Sequence, residues 1–422
     1  MKLKLTILTF FFALTISCQE VEKTFFNNGK LKELITYQNK KRNGGYKSYH
    51  ENGQLYETGK YHKGNKEGKW MSYYSNGNVD EIGEYLNDRR QNEWTSYYFN
   101  GQLYKTRKYD KGNEEGKWTS YHENGQLYET GKYHKGNKEG KWMSYHSNGK
   151  IQYKVNYKNG HREGEWKFHH ENGQLNEVGA YLNGKQNGEW EVYYEDGKIK
   201  EIGNYKNGHR EGEWKFYHES GQLNEVGKYL NGKKEDKWKS YYYESGNLNS
   251  IGMYKNNKYN GAWEWYYESG QLKRIGNFKD GKKEAKWKVY HRDGSVSESF
   301  YFNQDKLHGK VEKYHENGQL RSIETFKDGK KNGILKVYYY NGSLELVGEY
   351  KNGKAEQQWK AYYKNGSIKT INNYLNGKLE GIFKDFYDNK QLKEVGNYKN
   401  DEKKGDWKRY NKQGKLVKIT SY

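Results

Sequence analysis

The chain lacks several residues on which common protein classes depend. Its 422 residues include no proline and a single cysteine. One cysteine excludes a disulfide scaffold, and the lack of proline excludes a collagen-like helix despite 50 glycines. Hydrophobic residues reach only 32%, which is too little aliphatic surface for a thick core in a chain of this length. These shortages favour a thin fold.

Aromatic residues are abundant instead. Tyrosine, phenylalanine and tryptophan make up 17% of the chain, with 45 tyrosines alone. A low hydrophobic content combined with a net charge of +21 is typical of disordered chains, but such chains are poor in aromatics. The composition therefore predicts a folded protein held together by aromatic packing.

The first 17 residues resemble a secretory signal. Lys2 and Lys4 precede an apolar run, Leu5 to Ile16, which is too short to span a bilayer and fits the apolar part of a signal peptide. No later stretch is apolar enough for a transmembrane helix. We expect residues 1–17 to be a signal peptide and residues 18–23 a short tether.

Thr15-Ile16-Ser17-Cys18 resembles a bacterial lipobox. The resemblance implies cleavage before Cys18 and lipidation of its thiol, and acylation with more than one chain anchors a protein stably. We therefore expect a lipid-anchored protein of the cell envelope, in the outer membrane or at the surface where the cell has two membranes. The alternative is a plain secretory signal with an incidental cysteine.

The remaining sequence is one repeat of 24 residues, marked by a tryptophan. Sixteen full units and one partial unit fill residues 24–422 as a continuous array, and Tyr46, Val311, Leu335 and Phe383 occupy the tryptophan position in four of them. We expect the tryptophans to be structural. They are Trp70, Trp94, Trp118, Trp142, Trp166, Trp190, Trp214, Trp238, Trp263, Trp287, Trp359 and Trp407.

Each unit contains two Asn-Gly turn signals, such as Asn172-Gly173 and Asn183-Gly184. Asn-Gly favours the type I′ turn of a two-residue hairpin. The runs between the turns are six to eight residues long and rich in aromatic and β-branched types. The sequence therefore predicts an all-β fold, an elongated and twisted antiparallel meander with two strands per repeat. Some 34 strands at about 4.8 Å each would give a ribbon of roughly 160 Å.

Most units also carry a glycine inside the second strand, for example Gly59 and Gly131. Glycine weakens a strand unless something packs closely against it. One explanation is a neighbouring aromatic ring lying over the bare backbone, and another is a β-bulge. The sequence leaves both open, because apolar residues occur at both parities along this strand.

The segment Asn207 to Gly221, with Ser220 in place of the second turn asparagine, resembles the MORN repeat variant. It is similar to the bacterial YwqK-like proteins, some of which are named toxin–antitoxin antitoxins. The resemblance implies antiparallel hairpins in an elongated array. It also implies scaffolding, protein binding or contact with lipid headgroups, with no shared catalytic residues.

Thirteen histidines raise the question of a metal site. His122, His146 and His170 occupy one position in consecutive units, but two strands, about 9.6 Å, separate them. This is too far for one ion bound at about 2.0–2.1 Å. Tyrosine fills the position in other units, so we interpret histidine as a substitute aromatic and expect no metal and no cofactor.

Glutamates recur in the second strand among lysines and predict cross-strand charge pairs. They are Glu57, Glu81, Glu129, Glu177, Glu201 and Glu225. An active site needs one asymmetric set of residues with distinct roles, whereas this chain repeats the same set. We therefore expect no catalytic residues and no enzyme activity.

The leading hypothesis is a non-enzymatic, membrane-anchored repeat scaffold that presents an aromatic, basic surface to a protein, or to an anionic lipid or glycan. Basic residues among aromatics also bind single-stranded nucleic acid, but a secreted protein seldom meets it. Lysine on exposed strands also prevents sheets from aggregating. The alternative function is an antitoxin or immunity protein that neutralises a toxin by direct binding.

Overall fold

The computed structural model describes residues 19–422, and every helix or strand element in that range is a β-strand. The predicted signal peptide and Cys18 lie outside the described residues. The chain divides into two compact units, of which the first ends at Ile199 and the second is Lys200–Tyr422. The boundary falls at the first residue of a strand, and the 24-residue repeat continues on both sides of it in the sequence.

The strands before this boundary are β1 (Gln19–Phe25), β2 (Leu31–Gln38), β3 (Lys41–Tyr49), β4 (Leu55–His62), β5 (Asn65–Tyr73), β6 (Val79–Leu86), β7 (Arg89–Tyr97), β8 (Leu103–Asp110), β9 (Asn113–Tyr121), β10 (Leu127–His134), β11 (Asn137–Tyr145), β12 (Ile151–Lys158), β13 (His161–His169), β14 (Leu175–Leu182), β15 (Lys185–Gln186) and β16 (Gly188–Tyr193).

The remaining strands are β17 (Ile199–Lys206), β18 (His209–Tyr217), β19 (Leu223–Leu230), β20 (Lys233–Tyr241), β21 (Leu248–Lys255), β22 (Lys258–Tyr266), β23 (Leu272–Lys279), β24 (Lys282–Tyr290), β25 (Val296–Asn303), β26 (Lys306–Leu307), β27 (Gly309–Tyr314), β28 (Leu320–Lys327), β29 (Lys330–Lys331), β30 (Gly333–Tyr338), β31 (Leu344–Lys351), β32 (Lys354–Tyr362), β33 (Ile368–Leu375), β34 (Lys378–Leu379), β35 (Gly381–Phe386), β36 (Leu392–Lys399), β37 (Glu402–Tyr410) and β38 (Leu416–Ser421).

Within each unit, consecutive strands pair antiparallel, as β4 does with β5 and β5 with β6. The exceptions are the two-residue strands β15, β26, β29 and β34: each of them and the strand that follows it pair with the same preceding strand. In four places one residue interrupts a strand, so the 38 strands correspond to 34 continuous runs. The predicted all-β antiparallel meander with two strands per repeat is confirmed. Strand β1 pairs with β2 from Gln19 onward, so residues 19–23, expected to be a tether, belong to the sheet.

The two turns of a repeat differ. At the second turn, Asn183 and Gly184 have φ of 50° and 79°, which is the type I′ geometry predicted from Asn-Gly. At the first turn only Gly173 has a positive φ, and its N–H donates to the carbonyl of His170 at 2.9 Å. The type I′ prediction is therefore wrong for the first turn, where a longer loop ends in a left-handed glycine.

Candidate functional site

The repeat tryptophans form the core of the sheet. Eleven of the twelve are buried, with exposed fractions from 0% at Trp142 and Trp214 to 8% at Trp359. Trp118 alone is half-buried. Rings of neighbouring repeats meet edge to face, as Tyr61 does with Trp70 at 5.1 Å between centroids, a geometry that aromatic pairs favour. These tryptophans are structural, and an aromatic binding surface must come from other residues.

Ten of the twelve repeat tryptophans have their ring on the backbone of a glycine in the preceding strand. A Cβ atom at Gly59 would lie 2.2 Å from Cδ2 of Trp70. The Nε1–H of Trp70 donates to the carbonyl of Lys60 at 3.2 Å, and the register of β4 and β5 shifts between Thr58 and Lys60. Both explanations of the strand glycine therefore hold, because the bulge and the ring occur at one place.

This glycine precedes its tryptophan by 11 residues. The ten pairs are Gly59–Trp70, Gly83–Trp94, Gly131–Trp142, Gly179–Trp190, Gly203–Trp214, Gly227–Trp238, Gly252–Trp263, Gly276–Trp287, Gly348–Trp359 and Gly396–Trp407. Where the tryptophan is absent, a side chain replaces the glycine, as Phe300 does before Val311 and Glu324 before Leu335. Sequence reasoning missed this dependence, although the 11-residue spacing is visible in the sequence.

A cation covers the other side of many of these rings. The ammonium nitrogen of Lys66 lies 3.8 Å from the ring centroid of Trp70 and 2.8 Å from Oε1 of Glu57. Carboxylate, ammonium and indole therefore form a stack, in which a cation–π contact contributes about 0.5–2 kcal/mol. The same cation approaches the next repeat at Tyr85, 5.3 Å away.

Most of the predicted charge pairs follow this pattern. The pairs are Glu57–Lys66, Glu81–Arg90, Glu129–Lys138, Glu201–Arg210 and Glu225–Lys234, at 2.6–2.9 Å. Glu177 differs because Gln186 occupies the cation position. It accepts hydrogen bonds from Nε1 of Trp190 at 2.7 Å and of Trp166 at 3.3 Å. These cations are already neutralised and are poor candidates for binding a partner.

The histidines of the position shared by His122, His146 and His170 lie at the first turns. The ring Nε2 of His146 hydrogen-bonds the carbonyl oxygen of His169 at 3.0 Å, and the hydroxyl of Tyr74 donates to the carbonyl of Tyr97 at 2.8 Å. Both bonds tie one repeat to the next across 23 residues. Histidine and tyrosine are thus interchangeable here, and no group of three or more metal-binding side chains occurs within residues 19–422.

Two repeats that contain the tryptophan lack the glycine. Val155 occupies its position before Trp166, which is still buried. Arg107 occupies the glycine position before Trp118, and its guanidinium, only 13% exposed, pairs with Glu81, which also binds Arg90 at 2.7 Å. Burial and the charge of Arg107 lower the pKa of Lys105. Trp118 is half-buried. This asymmetric cluster was not predicted. It also contains the buried hydroxyl of Ser96, which donates to Oε1 of Glu81 at 3.0 Å and accepts from Arg107 at 3.2 Å.

In the second compact unit, Lys200–Tyr422, the sheet face opposite the tryptophans carries a regular row of side chains. We call it the lysine–aliphatic row. Lysine and an aliphatic residue alternate in it across consecutive strands, each in register with the next. Residues in register share one face of a sheet. The row is Ile323, Lys336, Val347, Lys360, Ile371, Lys384, Val395, Lys408 and Ile419.

No helix within residues 19–422 is long and apolar enough to cross a membrane. The predicted lipidation site, Cys18, lies just before the described residues.

Comparison with solved structures gives weak similarities. The chain is 12% identical to "Crystal Structure of TcdB2-TccC3", with a TM-score of 0.16 and coverage of 89% of this chain and 23% of that one. It is 13% identical to "Structure of Photorhabdus luminescens Tc holotoxin pore, Mutation TccC3-D651A", with a TM-score of 0.16 and coverage of 89% and 22%. The chain spans less than a quarter of the length of either. TM-scores this low support no conclusion. No curated protein matches the chain.

The family comparison is decisive. The sequence pattern described as "MORN repeat variant" matches fourteen segments that together cover more than half of the chain. They are residues 21–39, 42–63, 66–87, 90–111, 114–135, 138–159, 162–183, 186–207, 210–231, 239–256, 259–280, 307–328, 331–352 and 379–400. Most contain one hairpin of the structure, which is two strands with the first turn between them. The chain therefore belongs to the MORN repeat variant family.

Proposed function

We propose that this protein is a non-enzymatic repeat scaffold that binds a protein partner with the sheet face opposite the tryptophan layer. The lysine–aliphatic row carries the proposal. On the tryptophan face most cations are neutralised by carboxylates in the same sheet, whereas the row offers lysines without such partners. A repeated surface suits association with an extended partner, because many weak contacts add up.

The exposed aromatics extend the proposed surface. Tyr301 on the opposite face is 42% exposed, and Tyr340 at a first turn is 61% exposed. Tyrosine is enriched in protein interfaces because its ring is apolar and its hydroxyl can hydrogen-bond. An anionic lipid or glycan is a further ligand class compatible with lysines, whereas nucleic acid is not expected in the envelope.

The proposed location is the cell envelope, with Cys18 as the lipid anchor. Gln19 follows the cysteine, not the aspartate that retains lipoproteins at an inner membrane in the sorting rule of bacterial lipoproteins, so the outer membrane is proposed where the cell has two. Cys18→Ser should release the protein from the membrane fraction and abolish incorporation of labelled fatty acid. Retention of the variant, with no label on the wild type, would refute the anchor.

The test of binding is capture of a partner from the envelope fraction by the purified mature chain. A chain with the four row lysines replaced by methionine serves as the control. We expect one protein to be enriched by the wild type and lost with the variant. The antitoxin or immunity function remains the alternative proposal, and it requires the captured protein to be a toxin that the chain inhibits at equal molar amounts.

A further inference from the structure

We infer that the lysine–aliphatic row binds an extended acidic polypeptide with a carboxylate at every third residue. The inference rests on the proposed binding function and specifies both the surface and the chemistry of the partner. It follows from the spacing of the lysines, from their freedom to pair with an external charge, and from the apolar residues between them.

The spacing comes from the sheet. Lys336, Lys360 and Lys384 each lie two strands apart, with Val347 and Ile371 in register between them. Since neighbouring strands are about 4.8 Å apart, consecutive lysines of the row are separated by about 9.6 Å. Lys408 continues the series at the same interval, with Val395 between.

An extended polypeptide can match this interval. A polyproline II chain has three residues per turn and rises about 3.1 Å per residue, so every third side chain points the same way at intervals of about 9.3 Å. The mismatch accumulates to only about 1 Å over four lysines, and lysine side chains are long and flexible enough to absorb it. This conformation has no internal hydrogen bonds, so the peptide can also follow the twist of the sheet.

The row lysines are free to bind an external anion. Within the described residues, none of the four forms a salt bridge. The nearby ion pairs use other lysines, as in Lys331–Glu324 and Lys393–Asp385. Lys336 and Lys408 are exposed, and the other two are half-buried. Acidic residues occur beside the row: Glu349 and Glu356 are in register with each other, and Glu312 is in register with Ile323 at the start of the row. The residues in register with the four lysines themselves are all aliphatic.

The aliphatic residues supply apolar contact between the charges. Ile419 is 48% exposed, and Ile334 and Ile382 in a parallel row on this face are 53% and 52% exposed. A peptide lying along the row would cover these side chains with the two residues that separate its carboxylates. Burying apolar surface favours binding, so small apolar residues fit these intervening positions.

The first compact unit, which ends at Ile199, has no lysines in part of the corresponding row. The corresponding row there contains no charge between Met71 and Met143. It consists of Met71, Ile82, Thr95, Thr106, Thr119, Thr130 and Met143, each in register with the next. Methionine therefore fits the lysine position of the same repeat, and it is the substitution of choice for removing the charge without disturbing the strand.

The experiment measures binding of labelled peptides to the mature chain by fluorescence anisotropy at low salt. One peptide has four Glu-Pro-Ala triplets, and the second has the same composition with its glutamates in one block. We expect the triplet peptide to bind on the order of tenfold more tightly, because only its carboxylates match the lysines in space. Equal affinities would overturn the inference, since they indicate attraction by net charge alone.

Two variants locate the site. Replacing Lys336, Lys360, Lys384 and Lys408 by methionine should abolish the preference for the triplet peptide. The control variant has methionine in place of four lysines near the second turns, Lys306, Lys330, Lys354 and Lys378. It loses the same charge, but away from the row. Its affinity for both peptides should fall slightly, and the preference for the triplet peptide should remain. Loss of the preference in the control, with an unchanged circular dichroism spectrum, would overturn the inference.

A vesicle-binding measurement tests whether the row binds anionic lipid instead of an acidic polypeptide. Vesicles containing anionic phospholipid should bind the row variant and the control variant equally. Binding lost only in the row variant, together with no preference between the peptides, would assign the row to a lipid surface and overturn the polypeptide. If the peptides fail to discriminate while an envelope protein is still captured, the inference fails and the scaffold function stands.

Discussion

At the scale of single residues, the contact between Gly59 and Trp70 shows how this fold buries aromatic rings without a second layer. The ring rests on a backbone that has no Cβ, and the missing atom would lie 2.2 Å from the indole. We expect Gly59→Ala to lower the free energy of unfolding by about 1–3 kcal/mol, because the ring must move off its position. Urea unfolding followed by tryptophan fluorescence measures the change.

Two comparisons make this prediction specific. Gly45 also lies in a strand, but a Cβ there would meet nothing within 4 Å, so Gly45→Ala should be neutral or slightly stabilising. In a chain that already carries Trp70→Val, Gly59→Ala should lower the free energy of unfolding much less. The repeat with Phe300 at the glycine position and Val311 at the tryptophan position already shows such a combination. Additive effects of the two substitutions would contradict a direct contact.

Burial of tyrosines makes stability depend on alkaline pH. Burial raises the pKa of Tyr46 and of Tyr133 to about 12, from 10.0. Below pH 10 these phenols are neutral in both the folded and the unfolded chain. Between about pH 10 and 12 they ionise first in the unfolded chain, so the free energy of unfolding should fall over this interval.

Urea midpoints measured across this interval test the dependence. Tyr46→Phe should reduce the slope against pH, whereas Tyr56→Phe, at a tyrosine that is 49% exposed, should leave it unchanged. A slope that is the same in all three proteins would show that Tyr46 does not titrate as its burial requires.

At the scale of strands and turns, successive hairpins are joined by side-chain hydrogen bonds as well as by the backbone hydrogen bonds between their strands. His146 bonds the carbonyl of His169, and Asn148 donates from Nδ2 to the carbonyl of Glu171 at 2.8 Å. We expect His146→Tyr to change stability by less than about 0.5 kcal/mol. His146→Leu should cost about 0.5–1.5 kcal/mol, because the hydrogen bond is lost. Equal stability of the two variants would contradict the role of this bond.

The sequence predicts the strands and turns well but not what each face presents. Asn183-Gly184 identifies a type I′ turn, because two residues with positive φ are required there. The strand parity, in contrast, is lost at the bulge beside Gly59, so the sequence alone does not show which residues share a face. For the same reason the alternation of Lys336, Val347 and Lys360 becomes visible only once the register is known.

At the scale of the molecule, the near-identity of distant repeats predicts that whole units can be removed. Residues 49–77 match residues 121–149 at every position except Tyr74, which corresponds to His146. Deleting residues 69–140 removes 72 residues, or three units, and joins Gly68 to Lys141. Trp142 would then lie over Gly59 as it now lies over Gly131, with Tyr46 in place of Trp118 as the preceding neighbour.

We expect the shortened chain to fold with an unchanged circular dichroism signal per strand residue. In a repeat protein each unit contacts only its neighbours, so stability is nearly a sum of unit and interface terms. The deletion removes six strands, about 29 Å of sheet, and also the irregular repeat with Arg107. A deletion of 60 residues, 69–128, is not a whole number of repeats. It joins Gly68 in β5 to Glu129 in β10, so that one strand of the repeat runs into the position of the other. That control should unfold at lower urea. If both deletions are equally stable, the junction does not matter, and the modular interpretation of the repeats is wrong.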